Sequence, residues 1–227
     1  MKKTITIGIP CFNEEKNIIK TYQKILKMVS DNNKYFFKFI IVDNGSTDNT
    51  KALIRNLAMT NKNVLGIFLS RDFGPEASVQ ALIDHASGDA FIGIPADLQD
   101  PPKLIPKFIK KWEQGNNIVI GIYTNSVDDF FTFFLRKAFY RLFKKISNIV
   151  VPINASGVGL LDKKALNALR MLPEKYRFFR GLRSWIGFKT AYINYKRGKR
   201  QYGKSSYSIF DYFKHAERGL FGFSIVE

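Results

Sequence analysis

The chain predicts an α/β fold, a mostly parallel sheet flanked by helices. Three observations point there. Short β-branched apolar runs alternate with segments of helical period through the first 121 residues. Polar and acidic residues gather just after those apolar runs, where parallel sheets place their ligands. The chain has 227 residues, 45% of them hydrophobic and 24% charged, enough to bury a sizeable core and far from the composition of a disordered segment.

Thr4–Ile9 reads as the first strand. Ile18, Tyr22, Ile25, Leu26 and Val29 then recur at helical spacing within Glu15–Val29. Phe39–Val42 is the second strand, and Ser46, Thr47 and Asp48 offer cap chemistry for a helix carrying Ala52, Leu53 and Leu57 on one face. Val64–Leu69 is the third strand. Pro75 opens a helix that ends near Gly88. Ala90–Ile94 is the fourth strand, Pro101 and Pro102 precede a helix to about Gln114, and Asn117–Gly121 is the fifth strand.

The residues after each strand form one prospective rim. Pro10, Asn13 and Glu14 follow the first strand, and Asp43, Gly45 and Ser46 the second. Ser70 and Arg71 follow the third, and Asp97, Gln99 and Asp100 the fourth. Within Ala96–Pro102, Asp97 and Gln99 stand two residues apart, which in extended chain puts both side chains on one side. A carboxylate and an amide oxygen are hard ligands suited to Mg²⁺ or Mn²⁺, with room left for phosphate oxygens.

The second half differs in charge and in aromatic content. Residues 1–100 carry 12 Lys+Arg and 11 Asp+Glu, whereas residues 101–227 carry 24 and 8. Phe130–Val150 and Ser208–Phe223 interleave phenylalanines and tyrosines with Lys and Arg, the composition of amphipathic helices at a membrane interface. This half therefore faces an acidic partner, and an anionic membrane surface suits it better than nucleic acid, for which no motif exists.

Other chemistries drop out. Cys11 is the only cysteine, so an internal disulfide and a cysteine-based zinc site are excluded. The two histidines, His85 and His215, lie far apart and in no nucleophile context. The N-terminus lacks a signal-peptide stretch, and no run reaches the roughly 18 apolar residues of a membrane span. A reducing, cytoplasmic setting is expected.

Three segments in order, Ile9–Glu15, Val42–Asp48 and Ala96–Pro102, resemble the successive motifs of family-2 glycosyltransferases. Arg177–Leu182, Trp185–Phe188 and Arg200–Ser205 narrow the resemblance to the polyprenyl-phosphate sugar transferases. The resemblance implies an inverting GT-A enzyme with a Rossmann-like sheet. It implies a nucleotide-sugar donor, more in keeping with UDP than GDP, a polyprenyl-phosphate acceptor, and a Mg²⁺ or Mn²⁺ ion on Asp97 and Gln99. Pro10, Phe12, Glu14, Asp43, Ala96, Asp97 and Gln99 would bind the donor. Asp97, Arg200 and Lys204 would serve catalysis, the last two in the segment Tyr195–Ser208, where Gly198 and Gly203 allow a mobile loop that closes over the diphosphate. The implied division is 1–125 for the donor half, 126–207 for the acceptor side and 208–227 for a juxtamembrane helix. Such enzymes usually continue into membrane-spanning helices, so this chain is expected at the cytoplasmic membrane face, peripheral or truncated. A homo-oligomer is compatible with the resemblance.

The sequence also departs from the family pattern. Pro95 stands where a first acidic residue is common, Gly157 where an aspartate discussed as catalytic base is common, and Ser206 where a lysine is usual. A phosphate monoester is already largely ionised at neutral pH. Loss of a general base therefore favours a phosphate acceptor over a sugar hydroxyl. A glycosyltransferase acting on a saccharide hydroxyl, and a non-catalytic protein binding nucleotide sugar or membrane, stay open at this level.

Overall fold

The computed structural model describes residues 2–124, 141, 151–152, 154–174, 177–198 and 200. The strands are β1 (Lys3–Cys11), β2 (Tyr35–Asp43), β3 (Val64–Phe68), β4 (Ala90–Gly93), β5 (Ile118–Tyr123), β6 (Ala155–Asp162) and β7 (Thr190–Tyr195). The described helices are α1 (Ile18–Val29), α2 (Thr50–Thr60), α3 (Pro75–His85), α4 (Leu104–Glu113), α5 (Lys163–Met171) and α6 (Phe179–Trp185). They build one seven-stranded sheet in the order β3-β2-β1-β4-β6-β5-β7. β6 runs antiparallel to β4 and β5, and the other pairs are parallel. The mostly parallel α/β expectation holds. The candidate interface segments Phe130–Val150 and Ser208–Phe223 lie outside the described residues, apart from Arg141.

Alternation along the strands divides the core between the two faces. Ile5, Ile7, Ile9 and Cys11 of β1 pack with Ile18, Tyr22 and Ile25 of α1, Ile54 of α2 and Leu104, Ile105 and Phe108 of α4. On the other face Leu82 and Ile83 of α3 meet Leu166 and Leu169 of α5 and Phe179 and Leu182 of α6. Thr6 and Gly8 of β1 face this second layer. A Cβ on Gly8 would stand 2.5 Å from the Phe91 ring, so the glycine lets Phe91 cross the strand. Among the described residues no helix is long and apolar enough to cross a membrane.

Topology locates the functional rim. The chain runs outward from β1 to β2 and β3, then returns to place β4 on the opposite side of β1. The crevice between the carboxyl ends of β1 and β4 is therefore the switch point, where open α/β sheets take their ligands.

Candidate active site

The loops after β1 and β2 are knitted together. The Asn13 amide donates to Ser46 Oγ at 2.8 Å, and Asn13 Oδ1 accepts from the Thr47 amide at 2.8 Å. The Glu14 amide donates to Thr50 Oγ1 at 2.8 Å, and the Glu15 amide to Asp48 Oδ2 at 3.2 Å. Ser46 and Thr47, expected as helix caps, are instead taken up by this stitching. Only Asp48 also reaches the start of α2, accepting from the Thr50 amide at 2.9 Å. The same loop delays α1 to Ile18, because Asn13 adopts φ +54° and the Glu14 carbonyl accepts the Asn17 and Ile18 amides.

Asp43 ends β2 and is buried, and each carboxylate oxygen lies 3.3 Å from the Ser46 amide. It is held as the base of a turn. Beside it, Gly45 adopts φ +77°, and a Cβ there would stand 2.4 Å from the Arg71 carbonyl carbon. Only glycine allows the loop after β3 so close. On that loop the Arg71 guanidinium stacks over Phe73, 4.0 Å from the ring centroid.

β4 delivers the acidic segment. Ala96 is buried in the core and its carbonyl accepts Thr21 Oγ1 at 2.7 Å. Contrary to the extended chain expected from the sequence, Asp97 and Gln99 stand on a turn. Leu98 takes φ +58°, and the Gln99 amide donates to Asp97 Oδ1 at 3.1 Å, a tight turn. A left-handed leucine costs on the order of 1 kcal/mol or more. Asn13 and Leu98 are the only non-glycine residues with positive φ among the described residues, and both lie on this rim.

The segment after β7 crosses the rim. The Gly198 amide donates to the Gln99 carbonyl at 2.8 Å, and Gln99 Nε2 donates back to the Gly198 carbonyl at 3.4 Å. Arg197 Nε lies 3.4 Å from Asp100 Oδ1, and its Nη2 lies 3.9 Å from Asp97 Oδ2. Arg200 reaches Glu14 Oε1 in a close ion pair, and Asn17 Nδ2 holds the other Glu14 oxygen at 2.6 Å. Thus Glu14, Asp97, Gln99 and Arg200, four of the sequence-derived candidates, converge on the β1–β4 crevice. Pro10, near the end of β1, and Phe12, just beyond it, are both partly buried. Arg200, expected to face a phosphate, pairs with Glu14. Lys204 lies outside the described residues.

Electrostatics follow from burial. Burial pushes the Glu14 carboxyl up, against the opposing pull of Asn17 and Arg200. Burial likewise raises Asp100, against Arg197 and Tyr195. For Arg197, burial works against the charge, but Asp100 and Asp97 more than offset it, so the guanidinium is held above its usual value. These raised carboxyls have a consequence for folding. Below the ordinary carboxylate range, native and unfolded chains both hold the protons. As pH rises between the ordinary and the elevated values, the unfolded chain releases protons that the fold retains. Stability is then lost across that window. Glu14→Gln should remove the Glu14 share, so its urea midpoint should fall less steeply over that window than wild type. Parallel curves would show that Glu14 titrates as an ordinary carboxyl.

Asp97 and Gln99 supply one carboxylate and one amide oxygen. Among the described residues no group of three or more His, Cys, Asp or Glu side chains is arranged to hold a metal ion. The donor set suits a hard divalent ion whose remaining positions come from phosphate oxygens, and not one caged by protein alone. Position 157 on β6 is exposed, and a Cβ there would meet nothing within 4 Å. The place where an aspartate is common is open space.

The glycosyl transferase family 2 sequence model matches residues 6–170. The chain belongs to glycosyl transferase family 2. A prophage bactoprenol glucosyl transferase homolog of Escherichia coli is 32% identical over 221 residues, covering 97% of this chain and 72% of the relative. Among solved structures, a Pyrobaculum calidifontis mannosyltransferase in complex with GDP-Man and Mn²⁺ gives a TM-score of 0.64 at 17% identity, covering 98% of this chain and 64% of that one. Glucosyl-3-phosphoglycerate synthase of Mycobacterium tuberculosis, in complex with Mn²⁺ and UDP-Glc, gives 0.59 at 18% identity, covering 95% and 76%. The family-2 fold is therefore that of the GT-A glycosyltransferases.

Sequence reasoning passed over Tyr195 and gave Arg197 no separate role. The signal was present: Thr190–Tyr195 alternates, and two arginines follow it three residues apart. In sequence the run reads as part of a basic loop, and the strand that aims it, β7, is evident only in the fold.

Proposed function

We propose that this family-2 chain is an inverting glycosyltransferase moving a sugar from a UDP-sugar to a polyprenyl phosphate at the cytoplasmic membrane face. The observation that carries the reading is the crevice at the switch point. Asp97, Gln99 and Glu14 line it, and Arg197 and Arg200 cross above it. Carboxylate and amide oxygens suit nucleoside hydroxyls or a metal, and guanidinium forks suit phosphates. The bactoprenol glucosyl transferase names among the relatives support a polyprenyl acceptor.

In this reading Asp97 and Gln99 would hold Mg²⁺ or Mn²⁺. The ion, when bound, neutralises charge on the leaving diphosphate. Glu14, Pro10, Phe12 and Asp43 orient the nucleoside. An oxygen of the acceptor phosphate attacks the anomeric carbon from the face opposite the leaving group. The bond from that carbon to the diphosphate breaks, and UDP departs with the electron pair. Arg197 and Arg200 stand where negative charge then accumulates. No proton has to leave the nucleophile, because the phosphate is already ionised. That fits the open space at Gly157. The aromatic, basic stretches Phe130–Val150 and Ser208–Phe223 would rest on anionic lipid and keep the crevice near its acceptor.

Slow hydrolysis of the donor separates an enzyme from a binding protein. With Mn²⁺ and no acceptor, the chain should release UDP from a UDP-sugar, and EDTA should stop it. Tight donor binding without any release would favour the non-catalytic alternative.

A further inference from the structure

We propose that Asp100 is a positioning residue, tying the segment after β7 to the rim and so fixing Arg197 and Arg200 above the crevice. Its carboxylate is 2% exposed, at the foot of the Asp97–Gln99 turn. One oxygen, Oδ1, receives both ties: Tyr195 Oη donates to it in a close hydrogen bond, and Arg197 Nε lies 3.4 Å away. Tyr195 is the last residue of β7, and Arg197 the second residue beyond it. Asp100 therefore sets the direction in which the chain leaves the sheet.

That direction matters because the segment has to carry Arg200 across the sheet. Four strand spacings separate β7 from β1 in the sheet order, about 19 Å at the usual spacing. The five residues from Tyr195 to Arg200 span at most about 18 Å. With the reach of the Arg200 and Glu14 side chains added, the segment closes that distance by heading across the rim. The paired contacts between Gly198 and Gln99 lie on that path, after β4, the neighbour of β1. A hydroxyl partner for Tyr195 alone needs no charge. A buried carboxylate is costly unless paired, and the guanidinium of Arg197 is the cation that offsets part of that cost. The effect on donor binding rests on the function proposed above, whereas the tie itself does not.

The test uses the whole chain and Asp100→Asn, which keeps an acceptor for Tyr195 and nearly the same shape but removes the charge. In hydrogen exchange, the Gly198 amide should exchange at least about tenfold faster in the variant, a loss of about 1.4 kcal/mol of local protection. Amides of β1 should be unchanged. In calorimetry with UDP and Mn²⁺, Asp100→Asn and Arg197→Gln should each weaken binding about tenfold, and the double variant no more than Arg197→Gln alone. Unchanged exchange at Gly198, or losses that add in the double variant, would overturn the proposal. If Asp100→Asn does not fold, Tyr195→Phe and Arg197→Gln cut the same ties and carry the exchange measurement. Failure of the wild-type chain to bind UDP would count against the donor reading, and the exchange result would still decide the role of Asp100.

Discussion

Asp97→Ala should abolish metal-dependent binding of a nucleoside diphosphate. Asp97 is the one carboxylate on the β4 turn that is neither sunk in the core nor pinned by a close partner. Its Oδ1 accepts one amide at 3.1 Å and its Oδ2 stands 3.9 Å from Arg197. Gln99 alone is a neutral ligand and holds a hard divalent ion weakly. A loss of at least about 100-fold in affinity, roughly 3 kcal/mol, is expected. Calorimetry with UDP and Mn²⁺ against UDP alone separates the metal-dependent part. The variant should fold, because its backbone turn is also held by the Gly198–Gln99 contacts. Unchanged affinity would remove Asp97 from the metal.

Arg200→Ala should cut turnover on polyprenyl phosphate by about 10²- to 10³-fold, the usual cost of removing one preorganised donor from developing negative charge. It also leaves Glu14 buried without its cation, so the nucleoside side of the crevice loses definition. Binding to anionic vesicles should change by no more than about fivefold, since one cation near a membrane contributes about 1 kcal/mol. The chain has 36 Lys and Arg to share that attraction. Equal, small losses in turnover and vesicle binding would make the segment a membrane anchor only.

The left half of the sheet was legible because its strands are β-branched runs bounded by turn chemistry. Ile5, Ile7 and Ile9 alternate, and the helices after them carry apolar residues at helical period. β6 was not legible as a strand. Gly157 and Gly159 break its apolar pattern, and Gly159 is there for contact: a Cβ would stand 2.5 Å from the Val119 carbonyl oxygen. Glycine chosen for close strand approach reads in sequence as loop. The rim residues were legible by position, because strand ends in a parallel sheet must share an edge. What position cannot give is pairing across the chain. Arg200 and Glu14 are 186 residues apart, and Tyr195 and Asp100 are 95 apart. Nothing local to either partner announces the other. The turn at Leu98 was hidden for a related reason, since leucine is a residue that ordinarily avoids positive φ.

The central claim is the identity of the nucleophile, and one measurement addresses it directly. The chain is incubated with Mn²⁺, a panel of UDP-sugars and either undecaprenyl phosphate or undecaprenol, and the lipid products are read by mass and by anomeric configuration. A sugar joined to the phosphate with inverted configuration is expected, with no product on the bare alcohol. Transfer to the alcohol or to a saccharide hydroxyl, with none to the phosphate, would contradict it.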